Sequence, residues 1–311
     1  MVVRAGREFL AIPGPTTMPD EVLRAMHRPA LDIYSDQMVE MTESLLRDLS
    51  GLFATKGRSY IYIANGHGAW EAVLTNVLSR GDKVLVLESG RFAIGWGNAA
   101  AAMGADVEVL KGDWRRAVRP AEVEARLRQD KDHRIKAILA VQVDTASGAY
   151  NDIEAIGKAI KAAGHPALFM VDAVASLGCM PFEMDAWGVD VAMSGSQKGL
   201  MAPPGLGFVA ANDRAREVHK TAGLRTPIGT GPSARAASTT GSMPAQRPCI
   251  CCSRCVNRST CCSRKSSRTC SCATVSWPRR CAARSRSGPK ARCSASTSRK
   301  PASGPTRSPP W

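Results

Sequence analysis

No aspartate or glutamate follows Glu217, and no leucine follows Leu224, in a chain of 311 residues. A segment without acidic residues and with few large aliphatics cannot bury enough apolar surface to offset the entropy of ordering itself. Residues 228–311 are therefore expected to form no packed domain. Cysteine is absent before Cys179, and ten of the eleven cysteines lie between Cys249 and Cys293. A disulfide scaffold and a thiolate metal cluster are thereby excluded from the first two-thirds of the chain. No histidine pair has metal-ligand spacing, so no metal is expected. No apolar run approaches the length of a membrane span and the start does not read as a signal peptide, so a cytoplasmic protein that meets no membrane is expected. Two nucleotide-binding patterns also fail. Gly95-Trp96-Gly97 lacks the third glycine of a dinucleotide fingerprint, and Gln197-Lys198-Gly199 lacks the earlier glycine and the hydroxyl residue of a phosphate-binding NTPase loop.

Charge divides the chain at the same place. Residues 1–217 hold 24 basic against 27 acidic residues, a net of −3, whereas residues 218–311 carry +18. The pI of 9.6 belongs to the second part and does not point to a nucleic-acid partner for the first.

What the first part does contain is an alternation of short apolar runs and helical periodicities. Pro19–Arg28 reads as a helix. Ser35 precedes Met38, Met41, Leu45, Leu46, Leu49 and Phe53 at helical spacing, an N-cap followed by a core-facing stripe. Strand-like runs occupy 60–64, 83–87, 105–110, 135–143, 167–171, 189–193 and 205–211, with helical segments such as 120–128 and 153–163 between them. Strands alternating with helices predict an α/β fold with a mostly parallel sheet covered by helices. The organisation expected is an N-terminal arm over residues 1–20, a large domain over 21–227 and the basic tail over 228–311.

The chemistry concentrates between Phe169 and Phe208. Asp172 closes the run Ala167–Val171, which puts a carboxylate at the carboxyl end of a buried strand, where open α/β sheets bind ligands. Lys198 stands in an uncharged run, with no second charge between Asp190 and Asp213. Desolvation pushes such an ammonium toward its neutral, nucleophilic form, which suits Schiff-base chemistry. A carboxylate for a ring nitrogen and a lysine for an aldehyde are together the requirements of pyridoxal 5'-phosphate.

With Asp172-Ala173-Val174-Ala175-Ser176 followed by Ser194-Gly195-Ser196-Gln197-Lys198, residues 14–227 resemble the class V, fold type I aminotransferases, above all the alanine-glyoxylate and serine-glyoxylate enzymes. The resemblance implies Lys198 as the catalytic lysine and Asp172 as partner of the pyridinium nitrogen. It implies a phosphate-cradling turn at Gly66, His67 and Gly68, with Gln197 beside it. Asn65-Gly66-His67-Gly68 also reads, from residues alone, as a strand-to-helix turn offering amides to an anion. Phe92 is expected to stack on the pyridine ring, with Val174 on the other face and Trp96 left to packing. Thr145 is expected to contact the cofactor, and Gly14 and Pro15 to line the substrate entrance. Implied too are amino and keto acid substrates, serine or alanine donating to glyoxylate, and a homodimer. Another class V activity, such as aminoethylphosphonate transamination, stays open, as does an inactive cofactor-binding remnant. A cysteine desulfurase is disfavoured because no loop cysteine precedes the tail.

The tail itself fits poorly with any evolved function. Its aromatics, Trp277 and Trp311, are too few to interleave with arginines on a nucleic acid. Cys252 and Cys255 have CxxC spacing, yet adjacent pairs such as Cys261-Cys262, and the lack of any histidine after His219, argue against zinc. A frameshift accounts for the composition. Ser242–Ser253 can be recoded with GC-rich codons into Tyr-Ala-Gly-Thr-Ala-Pro-Val-His-Leu-Leu-Phe, similar to the Tyr-x-x-Thr element that in the family reaches the neighbouring subunit's phosphate. The frame is expected to change near Pro227. The family's carboxylate-binding arginine would lie beyond that point, and no arginine of the tail matches it.

Overall fold

A computed structural model of the protein describes residues 10–226. The expectations for residues 227–311, including the frameshifted tail, and for the first nine residues of the arm lie outside the described residues.

Among the described residues the helices are Asp20–Met26 (α1), Asp36–Leu52 (α2), Gly66–Val77 (α3), Arg91–Ala102 (α4), Pro120–Gln129 (α5), Ile153–Ala163 (α6) and Asp213–His219 (α7). The strands are Arg58–Ala64 (β1), Lys83–Leu87 (β2), Asp106–Leu110 (β3), Ile135–Val141 (β4), Val143–Asp144 (β5), Ala149–Tyr150 (β6), Leu168–Asp172 (β7), Val191–Gly195 (β8) and Gly205–Ala211 (β9). Side-chain caps start several helices. Ser35 accepts from Met38 N ahead of α2, Asn65 from His67 N and Gly68 N ahead of α3, Asp152 from Ala155 N ahead of α6, and Asn212 from Ala215 N ahead of α7.

Seven strands form one sheet in the order β1-β9-β8-β7-β4-β2-β3. β8, β7, β4, β2 and β3 pair in parallel, while β9 lies antiparallel to both β1 and β8. β9 alone therefore runs against the other six, and the sheet is mostly parallel with helices on both faces, as the alternation of elements predicted. Strand alternation divides the core into two. Leu85, Leu87, Phe169 and Val171 pack with α2, α5 and α6, whereas Val84, Val86, Leu168 and Met170 pack with α3 and α4.

The run 135–143 is not one strand. Gln142 interrupts it after Val141, fully buried, with its amide nitrogen donating to Pro181 O at 3.2 Å and its carbonyl oxygen accepting from Ser176 Oγ at 2.5 Å. Its backbone N–H still bonds Asp172 O at 2.9 Å, which ties the end of β4 to the end of β7. The short β5–β6 hairpin follows from this break and carries Asp144 and Thr145 over the carboxyl edge of the sheet.

Candidate active site

Asp172 is the last residue of β7 and shares its parity with Leu168 and Met170, so its carboxylate faces α3 and α4. It is 4% exposed. Oδ1 accepts from Val174 N at 2.7 Å and Oδ2 from the Trp70 indole Nε1 at 2.7 Å. Burial pushes its pKa up to about 6, against the downward pull of those two donors; Asp144 adds repulsion and Lys198 attraction.

Lys198 lies in the loop from β8 to β9. Ser196 shapes that loop, donating through Oγ to Pro203 O at 2.5 Å and through its backbone N–H to Leu206 O at 3.0 Å, and Met201 N closes onto Lys198 O at 2.8 Å. The amine is half-buried and donates to Pro13 O at 3.2 Å. Desolvation lowers its pKa, opposed by attraction to Asp172, so the lysine and the aspartate lie within each other's electrostatic reach.

Pro13 and Gly14 sit directly on this lysine, with Pro15 next in the chain. A Cβ on Gly14 would stand 2.5 Å from Lys198 Cδ and 2.9 Å from Nζ, and the residue has φ of +140°. Close approach and backbone conformation both demand glycine here. The segment is fastened by Thr16, whose N–H donates to Gln197 O at 3.0 Å and whose hydroxyl donates to Lys198 O at 3.1 Å.

The Gly66-His67-Gly68 turn opens α3, but two of its amides are engaged: Asn65 Oδ1 accepts from His67 N at 3.0 Å and Gly68 N at 3.2 Å. The His67 side chain is exposed, its ring edge-on to Trp70 at 4.7 Å. Gly66 is buried beside Val174, whose Cγ2 is 3.0 Å from where a Gly66 Cβ would be. A Cβ on Gly195 would lie 3.0 Å from Gln197 Oε1 and 3.5 Å from Gly66 N. Gln197 Oε1 is buried without a hydrogen-bond partner among the described residues. Gly66 and Gln197 thus converge on one small cradle.

Asp144, fully buried, ties the remaining pieces together. Its Oδ2 accepts from Phe92 N at 2.9 Å and Ala93 N at 3.0 Å, capping α4, whose own N-cap residue is Gly90. Gly90 must be glycine for this, because a Cβ would meet the Asp144 carboxyl carbon at 2.4 Å. Phe92 is half-buried with its ring edge-on to Trp70 at 6.4 Å, and Thr145 follows directly in the hairpin loop. That loop is held down by Ser147 Oγ, which donates to Ser89 O at 2.7 Å. Trp96, 1% exposed, stacks on Trp70 in the core.

Sequence reading missed Trp70 and the capping role of Asp144. An indole expected to be buried needs an acceptor for its N–H, and a helix starting at a glycine without a polar cap needs one from elsewhere; both were usable signals.

The class-V aminotransferase family profile matches residues 9–226. The chain belongs to the class-V aminotransferases. This class-V chain is 45% identical over 213 residues to a serine–glyoxylate aminotransferase of Methylorubrum extorquens, covering 68% of this chain and 53% of that protein. It is 41% identical over 217 residues to the serine–glyoxylate aminotransferase of Arabidopsis thaliana, covering 70% of this chain and 54% of the relative. Among solved structures, the ureidoglycine–glyoxylate aminotransferase of Bacillus subtilis superposes with a TM-score of 0.77 at 25% identity, covering 83% of this chain and 67% of that one. The chain spans about half the length of the curated relatives it matches.

Class-V aminotransferases depend on pyridoxal 5'-phosphate. The residues present fit that group: a buried carboxylate, a desolvated lysine, and the Gly66 N–H with the Gln197 carboxamide beside it, whose NH2 end can donate to a phosphate, lie at one edge of the sheet. Among the described residues no cluster of His, Cys, Asp and Glu is placed to hold a metal, and no helix is long and apolar enough to cross a membrane. A separate cavity of about 230 Å³, lined by Tyr60, Tyr62, Asn76 and His219, includes none of these residues.

Proposed function

We propose that this site serves pyridoxal-phosphate-dependent transamination, with serine or alanine as amino donor and glyoxylate as acceptor. The observation that carries the reading is Asp172: a carboxylate buried at the end of a central strand, within electrostatic reach of a lysine whose amine is desolvated. Pyridoxal phosphate, when bound, supplies a sink for the electrons released as a bond to the donor's α-carbon breaks. Asp172 would pair with its ring nitrogen and keep that nitrogen protonated. Lys198 Nζ would hold the group's aldehyde and would take up and return a proton at the donor's α-carbon. Lowered basicity suits the amine to both tasks, since the neutral form is the one that attacks and accepts. Phe92 and Val174 would hold the ring between them, Thr145 would contact it, and the turn Gly66, His67 and Gly68 with Gln197 would hold the phosphate. The segment Gly14–Thr16 covers the lysine and shields it from water.

Glyoxylate as acceptor rests on the relatives' names, which include two serine–glyoxylate aminotransferases. The cytoplasmic location and the homodimer belong to the same proposal. A second reading, a cofactor-binding remnant without turnover, is favoured by the extent of the match, about half of each curated relative. We read residues 228–311 as the frameshifted remainder of the gene, which sequencing across codon 227 tests.

Borohydride reduction of the chain loaded with pyridoxal phosphate, followed by peptide mapping, tests the site. Label should fall on Lys198, and the Lys198→Ala protein should take none. Label on another lysine overturns the assignment.

A further inference from the structure

Trp70 has no role in the reading above, yet three of that reading's residues meet on it. Its indole is 5% exposed. His67 contacts it edge-on at 4.7 Å, Phe92 edge-on at 6.4 Å, and Trp96 stacks on it at 6.4 Å with 14° between the planes. These contacts fix the plane of the indole, and the plane aims Nε1 at Asp172 Oδ2, 2.7 Å away. Trp96 provides an internal contrast. It is equally buried and nearly parallel, but its Nε1 has no hydrogen-bond partner among the described residues. Of the two stacked indoles, the one that reaches the carboxylate spans from α3 to β7.

We propose that Trp70 is a positioning residue of this site, its indole N–H fixing the orientation of the Asp172 carboxylate and holding it as an anion. The proposal rests on the transaminase reading. A carboxylate taken out of water retains its charge only if donors replace the lost hydration. Oδ1 has one from the backbone of Val174, which no side-chain change removes; Oδ2 depends on Trp70. The other charged or titratable groups facing the carboxylate are Asp144 on the β5–β6 hairpin, Lys198 on the β8–β9 loop and, through the indole, His67 on α3. Asp144 repels the negative charge and Lys198 attracts it, so neither substitutes for a fixed dipole. Without the indole N–H, Asp172 would keep its proton to higher pH and be held at Oδ1 alone, by Val174 N. A neutral, misoriented acid is a poor partner for a ring nitrogen that must stay protonated.

The test compares the full-length chain with its Trp70→Phe and Trp96→Phe variants, each shown to be folded by circular dichroism. Pyridoxal-phosphate affinity is measured against pH from the visible absorption of the lysine-attached cofactor. Both substitutions keep an aromatic ring and delete an indole N–H, but only the first deletes one bonded to Asp172. Trp70→Phe should weaken binding at neutral pH about tenfold or more, the effect of losing a hydrogen bond to a charged group. It should also move the acid limb of the affinity profile upward. Trp96→Phe, which keeps a ring against Trp70 and removes no bond to Asp172, should change affinity clearly less, by about threefold at most, and leave the limb in place. Equal affinity for Trp70→Phe and the unsubstituted chain, or a loss independent of pH, overturns the proposal while leaving the transaminase reading intact. If the unsubstituted chain attaches no cofactor at Lys198, the transaminase reading falls and this proposal falls with it. A second measurement needs no Trp70 variant: the Trp70 indole ¹H–¹⁵N resonance of the cofactor-free chain, assigned with the help of Trp96→Phe, should move as Asp172 titrates. A resonance indifferent to pH overturns the proposal even if Trp70→Phe does not fold.

Discussion

Replacing Asp172 with asparagine should remove a loss of stability that the cofactor-free protein suffers as pH rises to neutrality, and the structure fixes how much and over what range. Burial lifts the carboxyl from its ordinary 3.8 to about 6, so the folded state holds the proton more tightly than the unfolded chain does. A carboxyl whose folded pKa is raised favours folding below its unfolded pKa, and that advantage is lost as pH rises through the folded pKa. The window is therefore about pH 4 to 6. The shift of roughly two units, at 1.36 kcal/mol each, amounts to about 3 kcal/mol. Asparagine is neutral like the protonated acid but has a single acceptor oxygen, so it keeps only one of the two bonds that Val174 N–H and Trp70 Nε1–H donate to Asp172, a loss that does not depend on pH. Between about pH 4 and 7 the stability of Asp172→Asn should accordingly rise relative to wild type by about 3 kcal/mol, on top of a constant offset from the lost hydrogen bond. Taking the difference between two otherwise identical chains cancels every other titrating group. Urea unfolding of both proteins, freed of pyridoxal phosphate, at several pH values measures it. A gap that does not change with pH would falsify the description of Asp172 as a carboxylate held at a cost. With pyridoxal phosphate added the gap should move in favour of the aspartate, because only the aspartate gains a cationic partner.

Asp144→Ala should strip the cap from α4 and leave the Phe92 and Ala93 amides buried without an acceptor, a loss of about 3 kcal/mol. A thermal melt should show it as a fall of roughly 6 to 12 °C; a fall under about 2 °C would mean that water replaces the carboxylate. Gly14→Ala introduces a Cβ against Lys198 Cδ at an unfavourable φ. Cofactor attachment to Lys198 should slow severalfold while urea stability of the cofactor-free chain stays nearly unchanged, and a normal attachment rate would place the segment away from the lysine in solution. Finally, the chain as it stands should transaminate serine and glyoxylate far more slowly than a version restored in frame after codon 227; comparable turnover would show that the present residues 228–311 are functional.

How far the sequence could be read depended on whether the signal was local. β2 and α6 were legible to the residue because an unbroken KVLVL run and an apolar period capped by Asp152 carry their own boundaries. Strand direction is not local: nothing within Gly205–Ala211 says that it runs against its neighbours, since period and burial look alike either way. Gln142 was passed over because a polar residue inside an apolar run is readable only once its partners, Pro181 and Ser176, are known. Within the candidate site, Lys198 and Asp172 stood out because a lone charge among apolar neighbours is conspicuous in sequence. Trp70 and Asp144 did not, because their work is done across gaps of 102 and 52 residues.

The place of β9 gives the sheet an order of assembly. β1 is made first among the strands, yet its one neighbour in the sheet is β9, the last. A nascent chain that has not yet delivered Gly205–Ala211 can join β8, β7, β4, β2 and β3, but β1 has no edge to join. β9 is thus the strand that joins β1 to the rest of the sheet, while α3, which bears Trp70, also packs directly on β8. Gly205–Ala211 lies ahead of Pro227, so the strand that joins β1 to the sheet belongs to the part of the chain whose composition is that of a packed domain.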